Sequence, residues 1–259
     1  TTEEVAKHIV ESYITQDQRI VDDQARAEFL AQNSSGGGFF VNRMSAAQLA
    51  SQLGQNITLT AVNLEDLPLL LNAVNQFSFH MQSLDQRAVA QARSYAQSYT
   101  SIFGSNVPPS FIDLGHFAAL TYKYAGDSAT RDQANNILSA LSRVVVAEKH
   151  GPSKPGSTGI AIYFPNSQLY STASTGMASY SVIANSFSRA SLWDDFLGYH
   201  YAGRKFTANS VEAVNVTRAS QIPGLGAISV SPITASANRV SPGDVITLST
   251  TITGENIGY

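Results

Sequence analysis

The sequence predicts an α/β fold followed by a β tail, and three observations carry that prediction. Apolar residues recur at helical spacing in several stretches between positions 2 and 206. Among them stand two short runs of strand type, "NITLTAVNL" at 56–64 and "GIAIYFP" at 159–165. Beyond 207 the helical period is lost, and apolar residues share the chain with Ser and Thr in strand-like runs. At 259 residues and 43% hydrophobic content, the chain can bury a sizeable core.

The first helix opens at Thr2, with Glu3 and Glu4 at the positive end of its dipole. Val5, Ile9, Tyr13 and Ile14 are its expected inner face. Residues 16–55 are polar and irregular, and "NSSGGGFF" inside them reads as a surface excursion. Its three glycines resemble a phosphate loop, but no Lys-Ser or Lys-Thr follows. "MSAAQLASQLG" forms a short helix closed by Gly54.

The strand at 56–64 alternates Ile57, Leu59 and Ala61 with Thr58, Thr60 and Val62. Asn63 then caps a helix that tolerates Pro68 in its first turn and turns Leu67, Leu70, Leu71, Val74 and Phe77 inward. A helix over 85–103 follows, with Val89, Ala92, Tyr95, Ala96 and Tyr99 buried. "FIDLGHFAALTYKYA" is read as the next, capped by Asp113, with Leu114, Phe117 and Ala118 inward. A long helix over 128–150 places Ala134, Ile137, Leu138, Leu141 and Val145 on one side.

The run at 158–164 is nearly all apolar, as a strand covered on both faces would be, and Pro165 ends its pairing. Ile160 and Ile162 are both expected to be buried. After a Ser/Thr-rich stretch, Ser191 caps a helix carrying Trp193, Phe196, Leu197 and Tyr201 inward. "IPGLG" at 222–226 reads as linker, and "AISVSPITAS" and "DVITLSTTITG" as two strands flanking the "SPGD" turn at 241–244. They resemble the opening strands of an immunoglobulin-like sandwich, too few to complete one.

Net charge is −3, and only 14% of residues are charged. No basic field is present to recruit nucleic acid, and no apolar run reaches the roughly 20 residues of a membrane span. The N-terminus lacks signal-peptide features, and the chain reads as entered partway through. Cysteine is absent, so disulfides, thiolate metal sites and a cysteine nucleophile are excluded within these residues. Sparse charge and abundant hydroxyl and amide side chains suggest an exported protein.

No HExxH, Gly-x-Ser-x-Gly, Walker or dinucleotide motif occurs. Five histidines are the obvious acid–base candidates. His8 is a helix-boundary residue, and with Glu11 it supplies only two potential ligands. His116 lies between apolar residues as a satisfied core or boundary group, and His80 and His200 sit at helix ends. His150 precedes Gly151 as a general base can, but it follows a helical stretch and precedes a proline-rich turn. Asp194 and Asp195 are adjacent, so their side chains diverge on a helix; helix-start electrostatics is their reading. No catalytic, cofactor-binding or metal-binding residue is therefore assigned.

The order of segments is more specific than any residue. "LTAVNLEDLPLLLNAV", "SFIDLGHFA", "GIAIYFP" followed by Tyr170, and "LWDDFLGYHY" occur in that sequence. Together they resemble the C-terminal half of the clostripain-like cysteine peptidases over roughly residues 1–205, except at 16–55. That family's pattern approximates Ser-Ala-Val-Asp-Leu, an Ile-Asp-Leu helix, a Gly-Leu-Ser-Ile-Tyr-Phe-Pro strand and a closing Trp-Asp-x-Phe-Leu helix. Thr158 stands where many relatives carry histidine.

The resemblance implies a caspase-like α/β/α sandwich, related to caspases and gingipains, and cleavage after Arg or Lys by a His–Cys dyad. Acidic side chains would recognise the substrate, and calcium is a possible cofactor of the parent protein. Both dyad residues precede the segment matched by the first helix, so neither is carried over. The expectation is a peptidase part at 1–206, a linker at 207–226 and an incomplete β-sandwich at 227–259. The chain would be an inactive piece of a secreted or cell-surface endopeptidase that acts on proteins or peptides. The competing expectation is a non-catalytic surface or adhesive protein that retains a peptidase-like scaffold.

Overall fold

In the computed structural model, described over residues 1–33, 45–99, 109–172, 176–208, 229–232, 234–236, 247–249 and 251–253, several helices open on a short polar side chain. Thr1 accepts from the Glu4 amide to begin α1 (Thr2–Ser12), which opens at Thr2 as predicted. Ser45 does the same for α4 (Ala46–Gly54), Asp85 for α6 (Gln86–Tyr95) and Asp127 for α8 (Ser128–Val144). Each satisfies an amide that has no partner within its own helix. The glycine-rich stretch 36–38, most of the 207–226 linker and the 241–244 turn lie outside the described residues.

The chain forms two compact units, Thr1–Glu212 and Ala213–Tyr259. The first is mixed α/β, rich in helix, with two small antiparallel sheets among its described residues. One is a ribbon of β1 (Thr58–Val62) and β4 (Val145–His150). The other has the order β2–β3–β5, from Ser98–Tyr99, Phe111–Asp113 and Ala161–Tyr163. Helices α5 (Leu67–Met81), α6, α7 (Leu114–Ala125), α8 and α12 (Trp193–Ala202) bury their apolar stripes in one core with the second sheet.

Several boundaries differ from the sequence reading. The 128–150 helix stops at Val144, because the run Val144–Val145–Val146 is β-branched and five of the next six residues pair with β1, Val146 being skipped where the register shifts. The 85–103 helix ends at Tyr95, leaving that ring 64% exposed, and the chain turns into β2. Phe111–Asp113 pairs in the sheet, so the following helix starts at Leu114. The Ser/Thr-rich stretch after β5 contains α9 (Ser167–Tyr170), α10 (Met177–Ile183) and α11 (Asn185–Ala190).

The described parts of the polar region, 16–33 and 45–55, hold more regular structure than their composition suggests. Helices α2 (Gln18–Val21), α3 (Asp23–Asn33) and α4 bury Ile20, Leu30 and Leu49 with Ile14 in a separate small cluster. Ile14 has φ 68°, a left-handed conformation that costs a β-branched residue on the order of 1–3 kcal/mol. α1 also turns differently from expectation: Ile14, just beyond it, is buried as expected, but Val10 is the buried residue of the helix, while Val5, Ile9 and Tyr13 are exposed. It lies against the β1–β4 ribbon, where the Lys149 ammonium donates to the carbonyls of Glu11 and Tyr13 at 2.7 and 2.6 Å. A cation there complements the negative end of the helix dipole.

Among the described residues β5 is an edge strand. Ile162, Tyr163 and Phe164 are buried, Ile160 is half-buried and Ala161 is exposed, so only part of the predicted two-sided cover is present. In the second unit, β6 (Ser229–Val230) pairs antiparallel with β9 (Ile252–Thr253), and β7 (Thr234–Ala235) with β8 (Leu248–Ser249). Pro232, which has no amide hydrogen, stands between β6 and β7.

Candidate functional site

Phe164 gathers the segments singled out in the sequence. Its ring meets Phe117 of α7 and Trp193, Phe196, His200 and Tyr201 of α12, with centroids 5.3–6.1 Å away and planes near perpendicular. This edge-to-face geometry is the favoured one for aromatic pairs. Backbone groups close the same cluster. The Trp193 indole donates to the Tyr163 carbonyl at 2.6 Å, the Tyr201 hydroxyl donates to the Pro165 carbonyl, and Arg93 donates to the Phe164 carbonyl at 3.1 Å. The Phe164 amide donates to Ser110, after which Pro165 has no hydrogen to offer.

Asp113 is fully buried at the head of α7. Its carboxylate accepts from the His116 amide at 2.9 Å, the Tyr99 hydroxyl at 2.9 Å, and the Thr158 amide and hydroxyl at 2.7 and 2.6 Å. Four donors satisfy its lone pairs, which suits a structural anion joining β2, β3 and the approach to β5. Burial pushes the Tyr99 phenol above its ordinary value, so it remains a donor at neutral pH.

The histidines are similarly occupied. His116 accepts the Gln97 amide at Nδ1, 3.0 Å away, which places the proton of its neutral ring on Nε2. His80 Nε2 meets the Thr130 hydroxyl at 2.8 Å. His150 ends a strand rather than a helix, with Nδ1 2.9 Å from Glu148. His200 Nδ1 lies 2.7 Å from Gln86 Oε1, and because the Gln86 amide nitrogen donates to Met81 and Leu84, the ring nitrogen is the donor. Burial, with a smaller contribution from Arg93, pushes the His200 pKa down to about 4. His8 and Glu11 stand exposed on α1.

A hollow lined by charges of both signs lies beside α12. It measures about 600 Å³ and is lined by Ser181, Asp194, Asp195, Gly198, Arg204, Lys205 and Phe206. The adjacent aspartates, expected to diverge, both reach this one cavity. Asp194 takes a hydrogen bond from Ser188 on one oxygen, while its other oxygen is buried without a partner. Burial raises the Asp195 pKa, Asp194 raises it further, and Arg204 opposes both. Arg204 reaches the helix because Gly198 is bare: a Cβ there would stand 3.0 Å from its Nη2. Its guanidinium also donates to the Tyr170 hydroxyl at 3.0 Å.

Sequence reasoning missed this cavity. Its signal was the glycine pair in "FLGYHYAGRKF", which lets the chain turn back at Gly203 (φ 68°) and lay Arg204 along the helix. No helix among the described residues is long and apolar enough to cross a membrane. Comparison with family models, curated proteins and solved structures finds no match for this chain.

Proposed function

We propose that this chain is a non-catalytic C-terminal part of a clostripain-like cysteine endopeptidase, exported from the cell and cleaving proteins or peptides after Arg or Lys. The observation that carries this reading is the convergence on Phe164. The "SFIDLGHFA", "GIAIYFP" and "LWDDFLGYHY" segments, far apart in sequence, contribute Phe117, Phe164 and Trp193 to one buried cluster. Residues that serve a common core explain why such segments occur together and in a fixed order. On this reading the helices and small sheets belong to a caspase-like sandwich, and the β6–β9 strands begin an immunoglobulin-like domain.

The chain's own chemistry sets its share of the work. Thiolate catalysis requires a sulfur nucleophile with a base in reach, and the only sulfur here belongs to three methionines. The role left to these residues is to complete the core and support loops contributed by the rest of the enzyme.

The test compares this chain with its full reading frame on peptides carrying a reporter after Arg or Lys, with and without a thiol alkylator and with calcium added. Alkylation-sensitive cleavage is expected from the full-length protein alone. Cleavage by the pure chain, or an inert full-length protein across these conditions, would overturn the proposal; the inert result would favour the scaffold-only surface protein.

A further inference from the structure

Two aspartates and two cations, Arg204 and Lys205, line the cavity at the head of α12. With all four ionised their charges cancel, so neither a simple anion nor a simple cation meets a field of one sign. The two signs do not neutralise each other by contact. Arg204 acts on Asp195 through space, without a hydrogen bond, and Lys205 has no ion pair among the described residues. Asp194, with one buried oxygen unpartnered, adds negative potential beside Asp195. Among the described residues, then, neither end is closed by a contact ion pair with the other.

Spacing follows from the helix. Asp194 and Asp195 stand four and three residues before Gly198, about one helical turn, and Arg204 lies over Gly198. Phe206 supplies an apolar wall, held edge-on by Phe79 with centroids 6.2 Å apart. About 600 Å³ falls within the range of small-molecule sites. We propose that this cavity binds a free α-amino acid with an apolar side chain, its ammonium at Asp195 and its carboxylate at Arg204 and Lys205. The side chain lies toward Phe206. This site is independent of the peptidase reading and requires no nucleophile.

Calorimetric titration of the chain with L-leucine and L-phenylalanine tests the proposal, with the N-acetyl and carboxamide derivatives as controls. Saturable binding with Kd below about 1 mM is expected for the free amino acids. Either derivative should bind at least about tenfold more weakly, because each lacks one of the two charges. Asp195→Asn and Lys205→Gln should each reduce affinity by about tenfold or more, with melting temperature and Trp193 fluorescence unchanged. Gly198→Ala provides a second route, since the added methyl displaces Arg204. No binding up to about 10 mM, equal binding of the derivatives, or undiminished binding by well-folded variants would each overturn the assignment. Peptide cleavage does not enter this readout, so failure here leaves the endopeptidase reading to its own assay.

Discussion

Around Phe164 the first unit buries interlocking aromatic rings whose backbone carbonyls are bonded by side chains from distant segments. Between α1 and β1, by contrast, the small cluster of α2, α3 and α4 buries Ile14, Ile20, Leu30 and Leu49 among the described residues. The large core ties sequence neighbours to partners tens of residues away, so losing one ring disturbs several elements at once. The small cluster is built mainly of aliphatic side chains with Phe29 at its margin, and includes a residue in a strained conformation. The difference teaches that stability here is graded, with the aromatic core near the global limit and the insert near the local-opening end.

The largest effect should come from removing the ring at the centre of that contrast. Phe164→Ala leaves a cavity facing Phe117, Trp193 and Phe196 and should cost about 3–5 kcal/mol. Denaturant unfolding should show one cooperative loss, followed by the fluorescence of the sole tryptophan, Trp193. A cost below about 1 kcal/mol would mean that the cluster does not organise the unit.

In the insert, Leu49→Ala should cost about 2–3 kcal/mol, but locally. Amide exchange should quicken through α2, α3 and α4 while the Trp193 transition stays in place. A matching shift in the tryptophan transition would show that the two clusters unfold together, and the comparison would fail.

Acid should separate the regions more gently. His200 has a folded pKa of about 4, below the ordinary value near 6.5, so the unfolded chain binds the extra proton first. Its stabilising contribution is therefore present above the unfolded pKa and is lost as pH falls from about 6.5 toward about 4. At pH 5.5 the loss is on the order of 1 kcal/mol. Measured as a denaturant midpoint against pH, His200→Asn should flatten this slope. A slope unchanged in the variant would assign the acid sensitivity to other groups.

Much of the large core was legible because its residues obey simple periods. The α5 stripe of Leu70, Val74 and Phe77 is buried as its spacing predicts, and Asp113 caps α7. The strand β4 was hidden because a helical period ran into it unbroken; only the β-branched valines mark the change. The inner face of α1 could not be chosen from sequence, since Val5 and Ile9 compete with Val10, and the ribbon beneath decides. The insert's core combines four residues spread over 36 positions, too sparse for a periodic signal. The cavity depended on a chain reversal after α12, which no spacing within that helix encodes.

The Lys149 contact with the end of α1 also has a bearing on how this protein is made. The ammonium bonds carbonyls 138 and 136 residues earlier, on a ribbon whose second strand ends at His150. A ribosome adding about 5–20 residues per second takes on the order of ten seconds to cover that interval. Throughout it, Val10, which is buried in the folded chain, has no ribbon beside it, and the helix is held only by local bonds such as its capping box and the Lys7–Glu3 pair. The first helix of this chain to emerge from the ribosome is thus among the last to dock.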